Sequence, residues 1–192
     1  MFKVLYKKCL YLAGKKSSKY YLGIISFIES SFFPIPPDIL LIPLILARPK
    51  NAFLIAGLAT CASVVGGGLG YYIGLKFYEL VGSAIISFYH AEQLFNDFQT
   101  QFNQYGTIAV LIAGVTPFPY KIITISSGIA ELPFVQFLIY STIARGLRFY
   151  IIALLLRLYG EAIRKFIEKH LNFVFILFVI LLLAGFLLLK VI

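Results

Sequence analysis

The stretch Glu29-Ser-Ser-Phe-Phe-Pro-Ile-Pro-Pro-Asp38 constrains this chain more than any other. It sets two carboxylates and three prolines inside Tyr20 to Ala47, a run otherwise apolar and long enough to enter a bilayer. In hydrocarbon an ionised carboxylate is costly, and proline removes the internal hydrogen bonds on which a membrane-buried segment depends. The run must therefore break its helix and hide the break inside protein.

Its surroundings argue for an integral membrane protein. Of 192 residues, 60% are hydrophobic and 13% charged, too little polar surface to cover a soluble domain of this size. Ala52 to Leu75, Phe134 to Leu156 and Leu171 to Leu189 each run about the 20 residues needed to cross a hydrocarbon core of roughly 30 Å. Arg145 and Arg148 are the charges that interrupt them. The net charge of +9 fits contact with anionic headgroups rather than nucleic acid, because the basic residues are segregated along the chain.

That segregation predicts a topology. Lys3, Lys7, Lys8, Lys15, Lys16 and Lys19 form one basic group, Arg48 and Lys50 a second, and Arg157, Arg164, Lys165 and Lys169 a third. All three are expected on the cytoplasmic side of the cytoplasmic membrane, with the N-terminus cytoplasmic and the chain starting at Met1 without a signal-peptide core. Between Lys76 and Lys121 there is neither Lys nor Arg, which marks the outer side. Because Tyr20 to Ala47 has basic clusters at both ends, it reads as a re-entrant hairpin that turns at Pro34, Pro36 and Pro37 and returns. Thr107 to Ile129 repeats the pattern upside down, broken at Thr116-Pro-Phe-Pro-Tyr-Lys121, with Pro117, Pro119 and Tyr120 in the turn.

The expected fold is all-α, with two inverted repeats, each a re-entrant helical hairpin (20–47, 107–130) followed by a transmembrane helix (52–75, 134–156). A basic cytoplasmic segment (1–19) precedes them, and a C-terminal transmembrane helix (171–191) follows. Phe88, Phe95, Phe98, Phe102 and Tyr105 recur at helical spacing, which predicts an amphipathic interfacial helix over 82–105.

Five charged residues fall at membrane depth. Glu29 and Asp38 flank the first turn, and Lys121, Arg145 and Arg148 lie in or after the second. Asp38 follows a Pro-Pro pair, where it would also suit a restarting helix N-terminus. The arginines, three apart, share one face and sit too deep to snorkel, so they must face protein or a polar cavity. They either neutralise the acids as fixed ion pairs or hold an anionic headgroup, and three cations against two acids leaves one over. Gly66, Gly70 and Gly74 put a small residue every fourth position, a helix-packing stripe rather than a nucleotide loop, since no Lys-Ser/Thr pair follows. The histidines, His90 and His170, and the cysteines, Cys9 and Cys61, form no metal-ligand spacing and leave the serines without an activating base. No metal, cofactor or enzymatic centre is expected.

Glu29 with the PIPPD that follows, GYYIG at 70–74, TPFPYK at 116–121 with SSG at 126–128, and ARGLRF at 144–149 together resemble the DedA family, within the VTT-domain (SNARE-associated Golgi protein) superfamily. The resemblance spans roughly residues 20 to 160. The TPFPYK and RGLRF motifs are similar to one branch, with Gly114 where the widespread pattern has its first arginine. It implies inverted re-entrant hairpins and lipid movement across the membrane, with embedded acidic and basic residues tied to protons. The expected function is a scramblase-like translocase of a phosphate-bearing lipid, such as an anionic phospholipid or a polyprenyl phosphate. Glu29, Asp38, Lys121, Arg145 and Arg148 would form its substrate and proton site, in a monomer or an oligomer. The alternatives are a proton-coupled transporter of a small solute or ion, and a non-transporting assembly factor.

Overall fold

The computed structural model describes residues 18–32, 36–90, 92–116 and 119–169, and every regular element among them is helical. Two short helices, α1 (Ser18–Ser31) and α2 (Asp38–Ala47), flank the first proline break. A 3₁₀ turn, Pro49–Asn51, leads into the long α3 (Ala52–Phe77), which continues through a π-helical turn, Tyr78–Gly82, into α4 (Ser83–Phe88). Then come α5 (Glu92–Val115), the short α6 (Tyr120–Ile129) after the second break, and α7 (Phe134–Lys169).

Proline sets both restarts. Pro37, at φ −65°, already has helical geometry, and its carbonyl accepts from the Leu41 amide at 2.8 Å, opening α2. Pro119 stays extended, at ψ 97°, and α6 begins at the next residue. Pro34 and Pro117, the basic segment up to residue 17 and the expected span 171–191 lie outside the described residues.

Close contacts give each helix its direction. Along α1, Gly23 lies by Leu58, the Phe27 carbonyl by Gly66 and the Ser30 carbonyl by Gly70, so α1 runs parallel to α3. Thr124 beside Gly67 and the Ile125 carbonyl beside Gly74 put α6 parallel to α3 as well. On the other side, Asn103 donates to the Ala130 carbonyl just ahead of α7, and Gly114 meets Ala144, so α5 runs parallel to α7. Asp38 at Arg148 and Leu46 at Gly160 make α2 parallel to α7 too. The long helices themselves are antiparallel, with Tyr71 against Phe137, Ser63 at Arg145 and Phe53 under Arg157. Each long helix thus carries one arm from each break.

Two apolar clusters fill the interior. One joins Leu22, Leu41, Leu44, Ile45, Ile55 and Phe149; the other joins Tyr71, Val110, Tyr120, Ile123, Leu132 and Phe137. Ser30, Ser63 and Arg145 are buried between them as a polar layer. The outside is apolar as well: Val135, Ile139, Ile143, Leu147, Ile151, Leu154 and Leu158 form one exposed stripe along α7. An exposed stripe of this length, opposite a buried arginine, inverts the arrangement of a water-soluble domain. Pro49–Phe88 and Phe134–Gly160 are both long and apolar enough to cross a membrane.

Several expected boundaries move. The helix foreseen over 82–105 is two helices, because His90 adopts left-handed φ 51° and turns the chain back, stacking Phe95 on Tyr78 at 4.7 Å. The second of these, α5, then runs unbroken to Val115 through the junction expected at 105–107, since Gly106 is buried and leaves the helix no reason to stop. The span expected to end at Leu156 continues as helix, and its backbone departs from helical geometry at Tyr159.

The glycine stripe is where the arms dock. A Cβ on Gly66 would overlap the Phe27 carbonyl, one on Gly70 the Thr124 hydroxyl, and one on Gly74 the Ile125 carbonyl. Backbone cannot yield as a flexible side chain can, so Gly66→Ala is expected to cost about 1–3 kcal/mol. Gly68, whose Cβ would come no closer than 3.8 Å to Phe134, should accept alanine with no loss. Thermal denaturation of both variants in detergent checks this, and equal midpoints would remove the stripe's packing role.

Candidate functional site

The two breaks meet at one face of α7. Arg145 donates from Nη2 to Glu29 Oε2 at 2.9 Å and from Nε to Ser63 Oγ at 2.6 Å. Ser30 hydrogen-bonds Ser63 at 2.6 Å and donates to the same Glu29 oxygen at 3.1 Å, closing a ring across α1, α3 and α7. The guanidinium lies 4.8 Å from the centre of the Tyr120 ring and 4.7 Å from that of Phe149, so its faces are covered by aromatic surface. Tyr120 in turn donates to Ser141. Arg145 is thereby held on its edge by acceptors and on its faces by rings.

Arg148, one turn further on, does a parallel job at the other ends of the breaks. It donates to Asp38 Oδ2 and to the Thr116 carbonyl, the open end of α5. Asp38 is the first residue of α2, and its carboxylate turns to Arg148. Each arginine therefore touches both breaks: Arg145 contacts Glu29 and Tyr120, Arg148 contacts Asp38 and Thr116.

The pairs differ in closure. Arg145 is 2% exposed and its partner Glu29 12%, whereas Arg148 and Asp38 stand at 13% and 16%. Asp38 Oδ1 and Arg148 Nε are buried and hydrogen-bond none of the described residues. One carboxylate oxygen and one guanidinium N–H of the less enclosed pair thus have no hydrogen-bond partner among the described residues. Leaving such groups unmet costs about 1–3 kcal/mol each or more.

Of the five charged residues predicted from sequence, the structure brings four together as two ion pairs. Lys121, half-buried on α6, joins neither. Pro36, Pro37, Pro119 and Tyr120 border the breaks, although buried Tyr120 is also one wall of the Arg145 site rather than only part of a turn. Gly66, Gly70 and Gly74 are buried on α3. Sequence reading missed Ser30, Ser63, Thr116, Ser141 and Phe149. Ser63 had a signal, since it extends the small-residue stripe of Gly66, Gly70 and Gly74 by one turn. Thr116 contributes only a carbonyl, which no side-chain pattern can show.

A lipid-length helical protein with an apolar exterior and a charged middle layer belongs to the membrane-associated class. The VTT domain matches residues 35–158, and the chain belongs to that family, the DedA/SNARE-associated group. An uncharacterised protein of Haemophilus influenzae is 32% identical over 174 residues, covering 91% of this chain and 90% of the relative. One from Histophilus somni is 33% identical over 190 residues, 99% of each, and one from the archaeon Methanocaldococcus jannaschii 27% over 156 residues, 80% of this chain and 88% of its own. No solved structure matches.

Breaking a buried ion pair from one side strands a charge, whereas removing both partners does not. Arg145→Met and Glu29→Gln are each expected to lower stability by about 3 kcal/mol or more, and the double variant to recover part of that. Denaturation of all four proteins in detergent measures the coupling; strictly additive losses would mean that the pair does not act as a unit.

Proposed function

We propose that this protein translocates a phosphate-bearing lipid across the cytoplasmic membrane, with the Asp38–Arg148 pair as its working site. The observation that carries the reading is that this pair is the more exposed of the two, with Asp38 Oδ1 and Arg148 Nε unbonded among the described residues, beside the more enclosed Glu29–Arg145 pair. Arg145 and Glu29 then act as the fixed clasp between the breaks. Arg148 is the cation that changes partner: a lipid phosphate takes the place of the Asp38 carboxylate in a planar, two-bonded contact. Lys121, which forms no ion pair among the described residues, supplies a further positive charge to the headgroup.

The helix directions favour two inverted re-entrant hairpins. α1 enters along α3, and α2 returns along α7, which is antiparallel to α3; α5 and α6 do the same from the opposite end. Charge favours an orientation: Lys19, Arg48, Lys50 and Arg157 gather at the α3 N-terminal end, and Glu79, Glu92 and Glu131 at the other. The basic end is then cytoplasmic. Lys50→Cys and Glu92→Cys, in a background free of other cysteines, are expected to label with impermeant maleimide from opposite faces of the membrane. Labelling from one face would overturn this topology.

In liposomes carrying fluorescent phospholipid, exchange between leaflets is expected to exceed that of protein-free vesicles. Arg148→Ala should slow exchange about tenfold to a hundredfold while the protein remains monodisperse. Exchange no faster than in empty vesicles at any pH sinks lipid translocation. Proton flux or solute uptake without lipid exchange would instead favour a proton-coupled solute transporter, and neither would favour an assembly factor.

A further inference from the structure

A second place on the molecule has the chemistry of a lipid site, well away from the paired arginines. It is a cleft of about 650 Å³ between α1 and α3, at the end of the molecule where α1 begins and α2 ends. Lys19, in the first turn of α1, and Arg48, just past the end of α2, stand at its polar rim. The backbone amide of Arg48 is pinned to the Leu44 and Ile45 carbonyls at 3.1 Å each, so this cation is anchored at a helix end rather than carried on a loose loop. Two cations from separate elements thus converge on one opening.

The floor is of the opposite character. Gly23, Ile24, Leu54 and Leu58 line it, and Ile24 and Leu54 are exposed on the outward side. Gly23 is what keeps it open: a Cβ there would meet nothing nearer than the Leu58 methyl, at 3.9 Å. Tyr20 stands exposed at the rim, one residue from Lys19. An exposed aromatic beside a lysine, one helical turn from exposed aliphatics, is the sequence of chemistries met on going from the headgroup layer into hydrocarbon.

We infer that this cleft holds a glycerophospholipid with an anionic headgroup, its phosphate between Lys19 and Arg48 and the start of an acyl chain over Gly23, Ile24, Leu54 and Leu58. This rests on the membrane orientation proposed above, but not on transport. A free anion would draw on the two cations and gain nothing from the apolar floor. A second copy of the chain related by symmetry would bring two more cations against these. A lipid matches both halves of the cleft at once, and the anionic cytoplasmic leaflet is where it would be found.

The test is native mass spectrometry of the full-length protein in detergent, with dioleoylphosphatidylglycerol or dioleoylphosphatidylcholine added at equal concentration. The two lipids share their chains, so a difference between them reports the headgroup. Wild type is expected to retain phosphatidylglycerol in preference, with the preference falling about fivefold for Lys19→Gln and again for Arg48→Gln. Gly23→Leu, which fills the floor, is expected to reduce retention of both lipids. In an Arg148→Ala background, Lys19→Gln is still expected to lower the preference, which separates this cleft from the proposed transport site. Should Arg48→Gln fail to fold, Lys19→Gln and Gly23→Leu carry the test. Equal retention of the two lipids, an unchanged preference in Lys19→Gln, or full displacement by millimolar inorganic phosphate would each overturn the proposal.

Discussion

A guanidinium buried between two apolar clusters is the constraint around which this structure is arranged. An isolated charge there is intolerable, so Arg145 must find an anion, acceptors for its N–H groups and cover for its faces. The chain meets these demands from four directions: Glu29 and Ser30 from α1, Ser63 from α3, Tyr120 from α6, and Phe149 from α7 itself. Because those groups come from one side of each proline break and from both long helices, satisfying one side chain fixes the relative position of α1, α3, α6 and α7. The glycine stripe on α3 is the steric counterpart. It lets the α1 and α6 backbones approach closely enough for Ser31 to donate to the Gly66 carbonyl at 2.9 Å and Thr124 to the Ser30 carbonyl at 3.1 Å.

The prolines and the arginines are two parts of one device. A proline break frees backbone groups at membrane depth, and something must satisfy them where no water is at hand. Arg148 meets one such group, the Thr116 carbonyl at the end of α5, with the same guanidinium that pairs with Asp38 at the start of α2. A device of this kind is strong while every group is met and adjustable where one is not. The Glu29–Arg145 side is the more enclosed, and the Asp38–Arg148 side leaves Asp38 Oδ1 and Arg148 Nε unbonded among the described residues, which is why the latter is the proposed place where a headgroup acts. Similar chemistry recurs at the molecule's basic end in simpler form, with Lys19 and Arg48 over an apolar cleft.

Much of this was written in the residues. Hydrophobic runs of spanning length, prolines inside two of them and the segregation of Lys and Arg followed from composition and order, because the bilayer imposes length and charge rules that act locally along the chain. The five charged residues could be named for the same reason: a charge inside an apolar run needs no alignment to stand out. The order of motifs also sufficed to point to the VTT family.

What the residues could not say is who meets whom. Three cations and two acids allowed several pairings, and the tertiary structure selected Arg145 with Glu29 and Arg148 with Asp38, leaving Lys121 aside, because pairing depends on which arm packs on which long helix. Ser63 looked like a small residue in an apolar span until α7 brought a guanidinium to it. Thr116 acts through a carbonyl that every residue possesses. The helix boundaries around His90 and Gly106 shifted because aromatic stacking and burial between distant segments outweighed local pattern. Sequence determined the materials and the place of each charge within or beside an apolar run, since those follow from local chemistry. Partnership, closure and the difference between a sealed pair and an open one were decided by packing between segments as far as 116 residues apart, which no local pattern encodes.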